Sequence, residues 1–531
     1  MRTFKNPVLP GFYPDPSVCR VGRDFYLVTS SFAYFPGVPV FHSRDLVNWR
    51  QIGNTLDRPE QLPLDGAGTS RGIFAPTIRW HDGTFYIITT NVTSGGNFIV
   101  TAANPAGPWS NPHYIAGADG IDPSLFFDDD GKCYYHGTCE RREGGSYYGD
   151  NEIYLQELDL AQMELKGKRR AIWHSALKDA VWPEAPHIYK IGEYYYLLIS
   201  EGGTAHEHAV TIARSKSLAE YFVGNKCNPI LTHRHLGRDY PIVNVGHGDL
   251  VDTPDGEWWM VLLASRPYGG RHRNMGRETF LVPMRWEDGW PVANYGVGLV
   301  RETERTPNLE PAPFETTTSF DFCLASALPL NMMHLRNPVA EDYALIAGQD
   351  GGLRMRLNKN AITELDTVSY FCIRQQHMSF KAHTLMRFSP EHENECAGLV
   401  IFQNHKYHYR FTLGLKSGFR VMRVTKCADG EETILAEVER NGTAGDAVFL
   451  QIVARGQDLS FCCGDDGRNY TPVCENVDAR ILSTDVAGGF VGTTIGMYAS
   501  ANGIEVPNRF ALFREFAYCQ LDLSHPNLII C

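Results

Sequence analysis

Three acidic residues occupy the same place in a repeated stretch of this chain. Asp15 and Asp122 each begin an Asp-Pro-Ser sequence, and Glu184 begins Glu-Ala-Pro. If the repeats form equivalent strands around one axis, the three carboxyl groups face one pocket. Clustered carboxylates repel one another, so at least one is expected to stay protonated near neutral pH. Hydrolysis of a glycosidic bond uses such a pair, because one carboxyl protonates the leaving oxygen while the other activates water or attacks the sugar.

The repeated stretch occurs five times, beginning at Asp15, Ala75, Asp122, Glu184 and Asp249. Each copy has an apolar run, a turn glycine seven to nine residues after its first residue, and an aromatic-rich segment. This pattern is typical of β-hairpins, and a second hairpin often follows. Copies begin 47 to 65 residues apart, which favours a five-bladed β-propeller over a single large β-sandwich. An isolated Asp-Pro is an ordinary turn signal, but three acids in register favour catalysis.

The repeat ends near residue 301, and a proline-containing stretch over 304–314 has the composition of a linker. The chain, at 531 residues, exceeds the size at which one core stops growing. Alternating apolar and polar runs after the linker predict a β-sandwich of the jelly-roll, concanavalin-like kind. We therefore expect an all-β protein with a propeller at 1–315 and a sandwich at 316–531.

Aromatic and basic residues beside the repeats suit a sugar pocket. Phe32, Phe74 and Trp182 are placed to stack on a pyranose face, as is Phe35. Arg277 is placed to bind ring hydroxyls and to keep Asp15 ionised.

Two histidines also belong to the expected pocket. His247 is interpreted as bonding to a carboxylate or water, with a role as ligand of a divalent cation such as Ca²⁺ as the alternative. His208 is expected to line the pocket, because His206-Glu207-His208 lacks the third ligand and the spacing of a zinc hydrolase. No metal ligand is assigned in the site, and no cofactor is expected to be required.

Charge and composition exclude several partners. The 49 Lys and Arg against 61 Asp and Glu leave a formal charge of -12, which disfavours nucleic acid and anionic membranes. No apolar run is long enough for a signal peptide or a membrane helix, so a cytoplasmic location is expected. The 13 cysteines have no metal-finger spacing and are expected to be reduced. A homo-oligomer is left open.

An ordered set of motifs along the whole chain resembles glycoside hydrolase family 43, in particular its two-domain β-xylosidases and α-L-arabinofuranosidases. The matching stretches are residues 6–17, 72–78, 120–125, 184–189, 201–204 and 246–249. The resemblance implies that Asp15 is the general base, Glu184 the general acid, and Asp122 the residue that orients this acid and tunes its pKa. It also implies inversion, removal of single pentoses from xylo- or arabino-oligosaccharides, and substrate binding by Thr204.

Two departures from the family leave the choice between xylose and arabinose, and the linkage, open. Phe74 stands where the family commonly has Trp, and Thr494 is interpreted as replacing a Phe that a sandwich loop often brings to the pocket rim. Two other functions remain as alternatives. One is a retaining five-bladed hydrolase of fructosides, and the other is a non-catalytic, glycan-binding propeller.

Overall fold

The computed structural model describes residues 2–314, 318–440 and 447–521, together with the backbone of Ile529–Ile530. Within these ranges the chain is almost entirely β-structure, with one short α-helix at Thr484–Ala487. Four 3₁₀ helices cover Pro59–Gln61, Arg234–Leu236, Ala340–Asp342 and Ala479–Leu482. No helix in these ranges is long and apolar enough to cross a membrane.

Five antiparallel sheets follow one another along the chain, as the five repeats predict, and we number them as blades 1 to 5. The strands of blade 1 are Ser17–Val21, Asp24–Val28, Gly37–Ser43 and Arg50–Leu56. Those of blade 2 are Thr77–His81, Thr84–Asn91, Gly96–Ala102 and His113–Tyr114. Those of blade 3 are Ile121–Phe127, Cys133–Glu140, Asn151–Asp159 and Glu164–Trp173.

Blades 4 and 5 complete the set. Blade 4 contains Glu184–Ile191, Tyr194–Glu201 and Ala209–Ser215, with Val223–Gly224 and Leu231–Thr232 both paired to the third strand. Blade 5 contains Val243–Asp252, Trp258–Ser265, Glu278–Glu287 and Trp290–Ala293. In every blade the first hairpin turns at the predicted glycine, which has a positive φ that glycine adopts without steric cost. These glycines are Gly22, Gly83, Gly131, Gly192 and Gly256.

The blades close into a ring. Their innermost strands contact one another in chain order, and the innermost strand of blade 5 contacts that of blade 1. The N-terminal strand Thr3–Lys5 pairs with Thr303–Arg305, just after blade 5. The first part of the predicted linker is therefore part of the ring closure. Asn6 adds side-chain hydrogen bonds to the backbone of Leu281 in blade 5.

A buried polar network ties all five blades together inside the ring. Asp249 of blade 5 accepts hydrogen bonds from Arg79 of blade 2 at 2.9 Å and from Ser17 Oγ, at the start of blade 1, at 2.7 Å. Arg79 also donates to Nδ1 of His187 in blade 4, 3.0 Å away, and Ser124 Oγ of blade 3 lies 3.2 Å from the same nitrogen. Burial opposes the ionisation of Asp249, but Arg79, His187 and the hydrogen bond from Tyr189 together outweigh it and hold the pKa of Asp249 well below its usual value.

The C-terminal part forms two packed antiparallel sheets of nine and eight strands. The nine-stranded sheet consists of Ser319–Asp321, Tyr343–Ile346, Gly352–Arg356, Ser379–Arg387, Ala447–Arg455, Asp458–Gly464, Thr471–Asp478, Phe510–Leu521 and Ile529–Ile530. The eight-stranded sheet consists of Tyr34–Phe35, Met333–Leu335, Ser369–Arg374, Cys396–Asn404, Tyr407–Lys416, Phe419–Ala428, Glu431–Glu439 and Thr494–Ser500. Apolar side chains of both sheets share one core, so the predicted β-sandwich is confirmed.

The propeller and the sandwich are joined by backbone pairing. Tyr34–Phe35 leaves blade 1 and pairs with Met333–Leu335, which makes it an edge strand of the eight-stranded sheet. Phe35 is therefore a core residue of this junction. The predicted domain boundary at 315/316 lies outside the described residues and stays a prediction.

The cysteines differ in one respect from expectation. In the part of the chain that the structure describes, eleven cysteines are free thiols. Cys519 is disulfide-bonded, so the prediction of reduced thiols is wrong for this residue.

Candidate active site

The three predicted acids lie in irregular backbone, either just before the innermost strand of a blade or at a register shift within it. Asp15 precedes the first strand of blade 1 and has a φ of 57°. Asp122 has a φ of 52° and lies at a register shift in blade 3. Glu184 begins blade 4, and Ala185, which follows it, has a φ of 53° at a similar shift. The bulges at Asp122 and Glu184 occur at equivalent places in blades 3 and 4 and turn these side chains away from the regular strand pairing.

Asp15 is buried and held by charged and polar partners. Arg277 Nη1 donates to its Oδ1 at 2.7 Å, and Ser30 Oγ donates to its Oδ2 at 2.5 Å. Arg277 Nη1 also lies 3.2 Å from Thr204 Oγ1, which places Thr204 beside this ion pair. His247 Nδ1 lies 3.7 Å from Asp15 Oδ1. Arg277, Thr204 and His247 therefore gather around Asp15, and the contact between Arg277 and Asp15 is the one that the sequence predicted.

Asp122 connects to the candidate acid through the backbone. Its Oδ2 accepts a hydrogen bond from the Ala185 N–H at 3.1 Å, one residue after Glu184. Asp122 is buried, whereas Glu184 is half-buried. In the described ranges the Glu184 carboxyl has no hydrogen-bond partner, so it is free to meet a ligand. This arrangement suits the role of Asp122 as the residue that orients Glu184.

The environments of the carboxyls move their pKa values in opposite directions. Burial would raise the pKa of Asp15, but Arg277, His247 and Ser30 together outweigh it and lower this pKa below its usual value. Enclosure in the pocket, followed by the negative charges of Asp122 and Asp15, raises the pKa of Glu184 well above its usual value. Burial also raises the pKa of Asp122, with His247 opposing and Asp15 adding to the shift. Asp15 is thus set up to accept a proton and Glu184 to donate one.

His208, which was predicted to line the pocket, lies near Asp15. It is buried, its Nδ1 donates to the carbonyl of Asn244 at 3.0 Å, and burial lowers its pKa to about 3. A side chain at Gly246 would collide with its ring, since a Cβ there would lie 2.2 Å from Cε1 of His208. His208 therefore packs against the part of the blade 5 strand Val243–Asp252 that carries His247.

Phe490 is a pocket residue that the sequence did not predict. It belongs to the sandwich, yet its ring stacks on Phe32 with centroids 6.4 Å apart and meets Phe74 edge-on at 6.0 Å. Its carbonyl accepts from Arg277 Nη2 at 3.3 Å, and its N–H donates to Ser70 Oγ at 2.9 Å. The sandwich thus contributes one wall of the pocket.

Two expectations about the pocket aromatics need correction. Thr494 is fully buried in the sandwich and hydrogen-bonds Tyr370 Oη at 3.0 Å, so it does not lie at the rim; Phe490 does. Phe32 is 1% exposed, because Phe74 and Phe490 pack against it, whereas Phe490 is 40% exposed. Phe490, and not Phe32, presents the larger aromatic surface to solvent.

Trp182 lies two residues before Glu184 in the sequence. It is half-buried, and its ring packs on Gly203 so closely that a Cβ there would lie 2.8 Å from it. Tyr148 contacts the Trp182 ring edge-on at 5.4 Å. Gly203 is thus required for Trp182 to lie against the 201–204 loop.

Blade 5 contributes one of its two candidate residues to the pocket. His247, with a φ of 49°, lies at a register shift and reaches Asp15. Asp249, which begins the fifth repeat, instead pairs with Arg79 in the buried polar network inside the ring.

Comparisons with known proteins agree with this architecture. The model for glycosyl hydrolases family 43 matches residues 4–291, and that of the beta xylosidase C-terminal concanavalin A-like domain matches 319–519. A xylosidase/arabinosidase of Butyrivibrio fibrisolvens is 50% identical, covering 94% of this chain and 96% of its own. A non-reducing end alpha-L-arabinofuranosidase of Bacteroides ovatus is 39% identical, covering 94% and 92%. The solved structure described as Bacteroides ovatus xyloglucan PUL GH43B superposes with a TM-score of 0.91 at 39% identity, covering 98% and 100%.

Proposed function

Because the chain belongs to glycosyl hydrolase family 43, we propose that it removes single terminal pentoses, β-D-xylose or α-L-arabinose, from short xylo- or arabino-oligosaccharides. It is a glycoside hydrolase by its family. The names of its relatives, a xylosidase/arabinosidase and an arabinofuranosidase, support a pentose as the sugar released. The family match supports neither a fructoside hydrolase nor a non-catalytic propeller.

In the proposed mechanism Asp15 and Glu184 act on opposite sides of the bond. Asp15 takes a proton from a water molecule as the water attacks the anomeric carbon, and Glu184 gives its proton to the departing oxygen. After one turnover Asp15 is protonated and Glu184 is ionised. Proton exchange with solvent then returns both residues to their starting states. Attack by water in a single displacement inverts the anomeric carbon.

The observation that carries this proposal is the arrangement of the carboxyls, in which Asp15 is ion-paired with Arg277 and Asp122 bonds the backbone next to Glu184. The Arg277 ion pair lowers the pKa of Asp15 and favours its ionised form, whereas burial, followed by the charges of Asp122 and Asp15, raises the pKa of Glu184 and favours its protonated form. Two carboxyls with the same protonation state could not divide the work of acid and base. The ring of Phe490 forms a wall of the pocket beside Phe74. A pocket closed on this side supports the removal of a terminal sugar rather than cleavage within a chain.

Product analysis tests the proposal. The protein is incubated with 4-nitrophenyl β-D-xylopyranoside, 4-nitrophenyl α-L-arabinofuranoside and xylobiose, and the first-formed sugar is followed by proton NMR. Release of α-xylose from the β-linked substrates is expected. Release of β-xylose would contradict inversion and favour the retaining alternative, while binding of xylo-oligosaccharides without any release would favour the non-catalytic one. The ratio of the two aryl glycoside rates decides between xylose and arabinose.

We also propose that catalysis requires no cofactor, because acid, base and positioning groups all come from the chain. The alternative of Ca²⁺ beside His247 is tested by the rate before and after EDTA treatment and after Ca²⁺ is restored. A cytoplasmic location and the lack of nucleic acid and membrane partners likewise remain proposals that rest on composition and charge. Size-exclusion chromatography with light scattering decides whether the chain forms a homo-oligomer.

A further inference from the structure

Three metal-ligating side chains lie in a row across the eight-stranded sheet of the sandwich. His408, Cys427 and Glu432 come from three consecutive strands, Tyr407–Lys416, Phe419–Ala428 and Glu431–Glu439. His408 is directly opposite Cys427, and Cys427 is directly opposite Glu432. Directly opposite residues of antiparallel strands point to the same face of the sheet. One potential ligand atom from each of the three lies within 4.8 Å of the others.

The hydrogen bonding of His408 leaves one nitrogen ready to bind a ligand. His408 is 0% exposed, and its Nδ1 lies 3.2 Å from the carbonyl oxygen of Asn404. A carbonyl can only accept, so Nδ1 carries the hydrogen and Nε2 carries a lone pair in the neutral ring. Nε2 is buried and has no hydrogen-bond partner in the described part of the chain. Histidine ligands of metals commonly donate their other N–H to a backbone carbonyl in this way.

Cys427 and Glu432 provide a sulfur and an oxygen beside the imidazole of His408. Cys427 is fully buried, and its Sγ has only weak contacts to backbone oxygens, the shorter being 3.4 Å to Lys406. Glu432 Oε2 accepts from Arg410 at 2.5 Å, while its Oε1 has no hydrogen-bond partner among the residues described. The Glu432 side chain is 39% exposed, so solvent and ions reach the row from this end.

We propose that His408, Cys427 and Glu432 bind a divalent transition-metal ion, with Zn²⁺ as the representative. Nitrogen, thiolate and carboxylate donors together suit Zn²⁺ and its neighbours better than Ca²⁺ or Mg²⁺, which prefer oxygen alone. On binding, the Cys427 thiol releases its proton to solvent and coordinates as a thiolate, and water completes the fourth position.

The position of the row gives the metal a structural role. Glu431–Glu439 is the edge strand of its sheet and has no buried side chain. Its attachment therefore depends on the strand pairing with Phe419–Ala428. A metal bound to Glu432, Cys427 and His408 cross-links this strand to the two inside it. Binding is expected to stabilise the sandwich by mass action.

Metal titration of the full chain tests the site. The reduced protein is freed of metal, then titrated with CoCl₂ under absorption spectroscopy and with ZnCl₂ by calorimetry. We expect about one metal per chain, a thiolate-to-cobalt band in the near ultraviolet, release of about one proton, and a higher Tm with Zn²⁺. The substitution Cys427→Ser should remove the band and weaken Zn²⁺ binding by at least about 100-fold.

Matched variants distinguish this site from binding elsewhere. Cys227→Ser removes an exposed free thiol and should leave the band unchanged. If Cys427→Ser fails to fold, Glu432→Gln at the surface should still weaken Zn²⁺ binding, whereas Glu431→Gln on the same strand should not. No Zn²⁺ uptake by the wild-type chain at micromolar concentration, or a band that persists in Cys427→Ser, would overturn the proposal.

Discussion

Arg277 and Asp15 form a buried ion pair, with Nη1 and Oδ1 2.7 Å apart, that joins the last blade of the ring to the first. Arg277 immediately precedes the third strand of blade 5, and Asp15 precedes the first strand of blade 1. The same contact therefore closes the pocket and keeps its proposed base ionised.

Removal of Arg277 should shift the acidic limb of the pH–rate profile. Arg277 lowers the pKa of Asp15, so in Arg277→Gln this pKa rises and the base becomes protonated at a higher pH. The acidic limb of kcat/KM is expected to move to higher pH. Arg273→Gln is the control, because Arg273 pairs with Asp485 outside the catalytic group, and its acidic limb should stay in place. If the acidic limb of Arg277→Gln does not move, the assignment of Asp15 as the general base is contradicted.

Replacement of Asp122 by Asn should shift the other limb. The negative charge of Asp122 raises the pKa of Glu184, whereas Asn still offers an oxygen to the Ala185 N–H. The acid should then lose its proton at a lower pH, so the alkaline limb moves to lower pH and the loss of activity grows as pH rises. A uniform loss at every pH would show that Asp122 acts only on geometry.

Phe490→Ala should weaken substrate binding, although Phe490 lies in the sandwich. It removes the ring that stacks on Phe32 and faces solvent at the pocket. A fall in kcat/KM of about two- to tenfold, mainly through a higher KM, is expected from the usual value of an aromatic contact. Phe419→Ala, at another exposed phenylalanine of the sandwich, should leave both constants unchanged. Equal behaviour of the two variants would place Phe490 outside the pocket.

The buried polar network inside the ring should contribute to the thermal stability of the protein. Asp249→Asn leaves the charge of Arg79 inside the ring without its partner, a change that typically costs about 3–5 kcal/mol. A fall in Tm of at least about 5 °C is expected by differential scanning calorimetry. Asp252→Asn breaks a partly exposed pair with Arg20 and should change Tm little. Equal Tm values for the two variants would contradict the role of the network.

The sequence was sufficient to predict the ring and its three acids because both depend on local, repeated features. Each copy contains its own hairpin and turn glycine, and the propeller converts equivalent positions into neighbours. Asp15, Asp122 and Glu184 could therefore be predicted without knowledge of any long-range contact.

Features that depend on contacts between distant segments could not be predicted in the same way. The position of Phe490 depends on how the loop of the sandwich meets Ser70 and Arg277, so its motif suggested Thr494 instead. The row of His408, Cys427 and Glu432 depends on the register of three strands, whereas the spacing of these residues in the chain resembles no metal motif. Asp249 is a third case. It begins the fifth repeat, as the catalytic acids begin theirs, but it forms an ion pair with Arg79 and does not join the pocket.

The most direct measurement of the central claim is kcat/KM of Glu184→Gln for two substrates that differ only in their leaving group. For xylobiose, whose leaving oxygen needs a proton, the loss should be about 10²- to 10⁴-fold. For 2,4-dinitrophenyl β-D-xyloside, whose leaving group departs without one, it should be less than about tenfold. Equal losses for both substrates, or near-wild-type activity on xylobiose, would contradict the assignment of Glu184 as the acid.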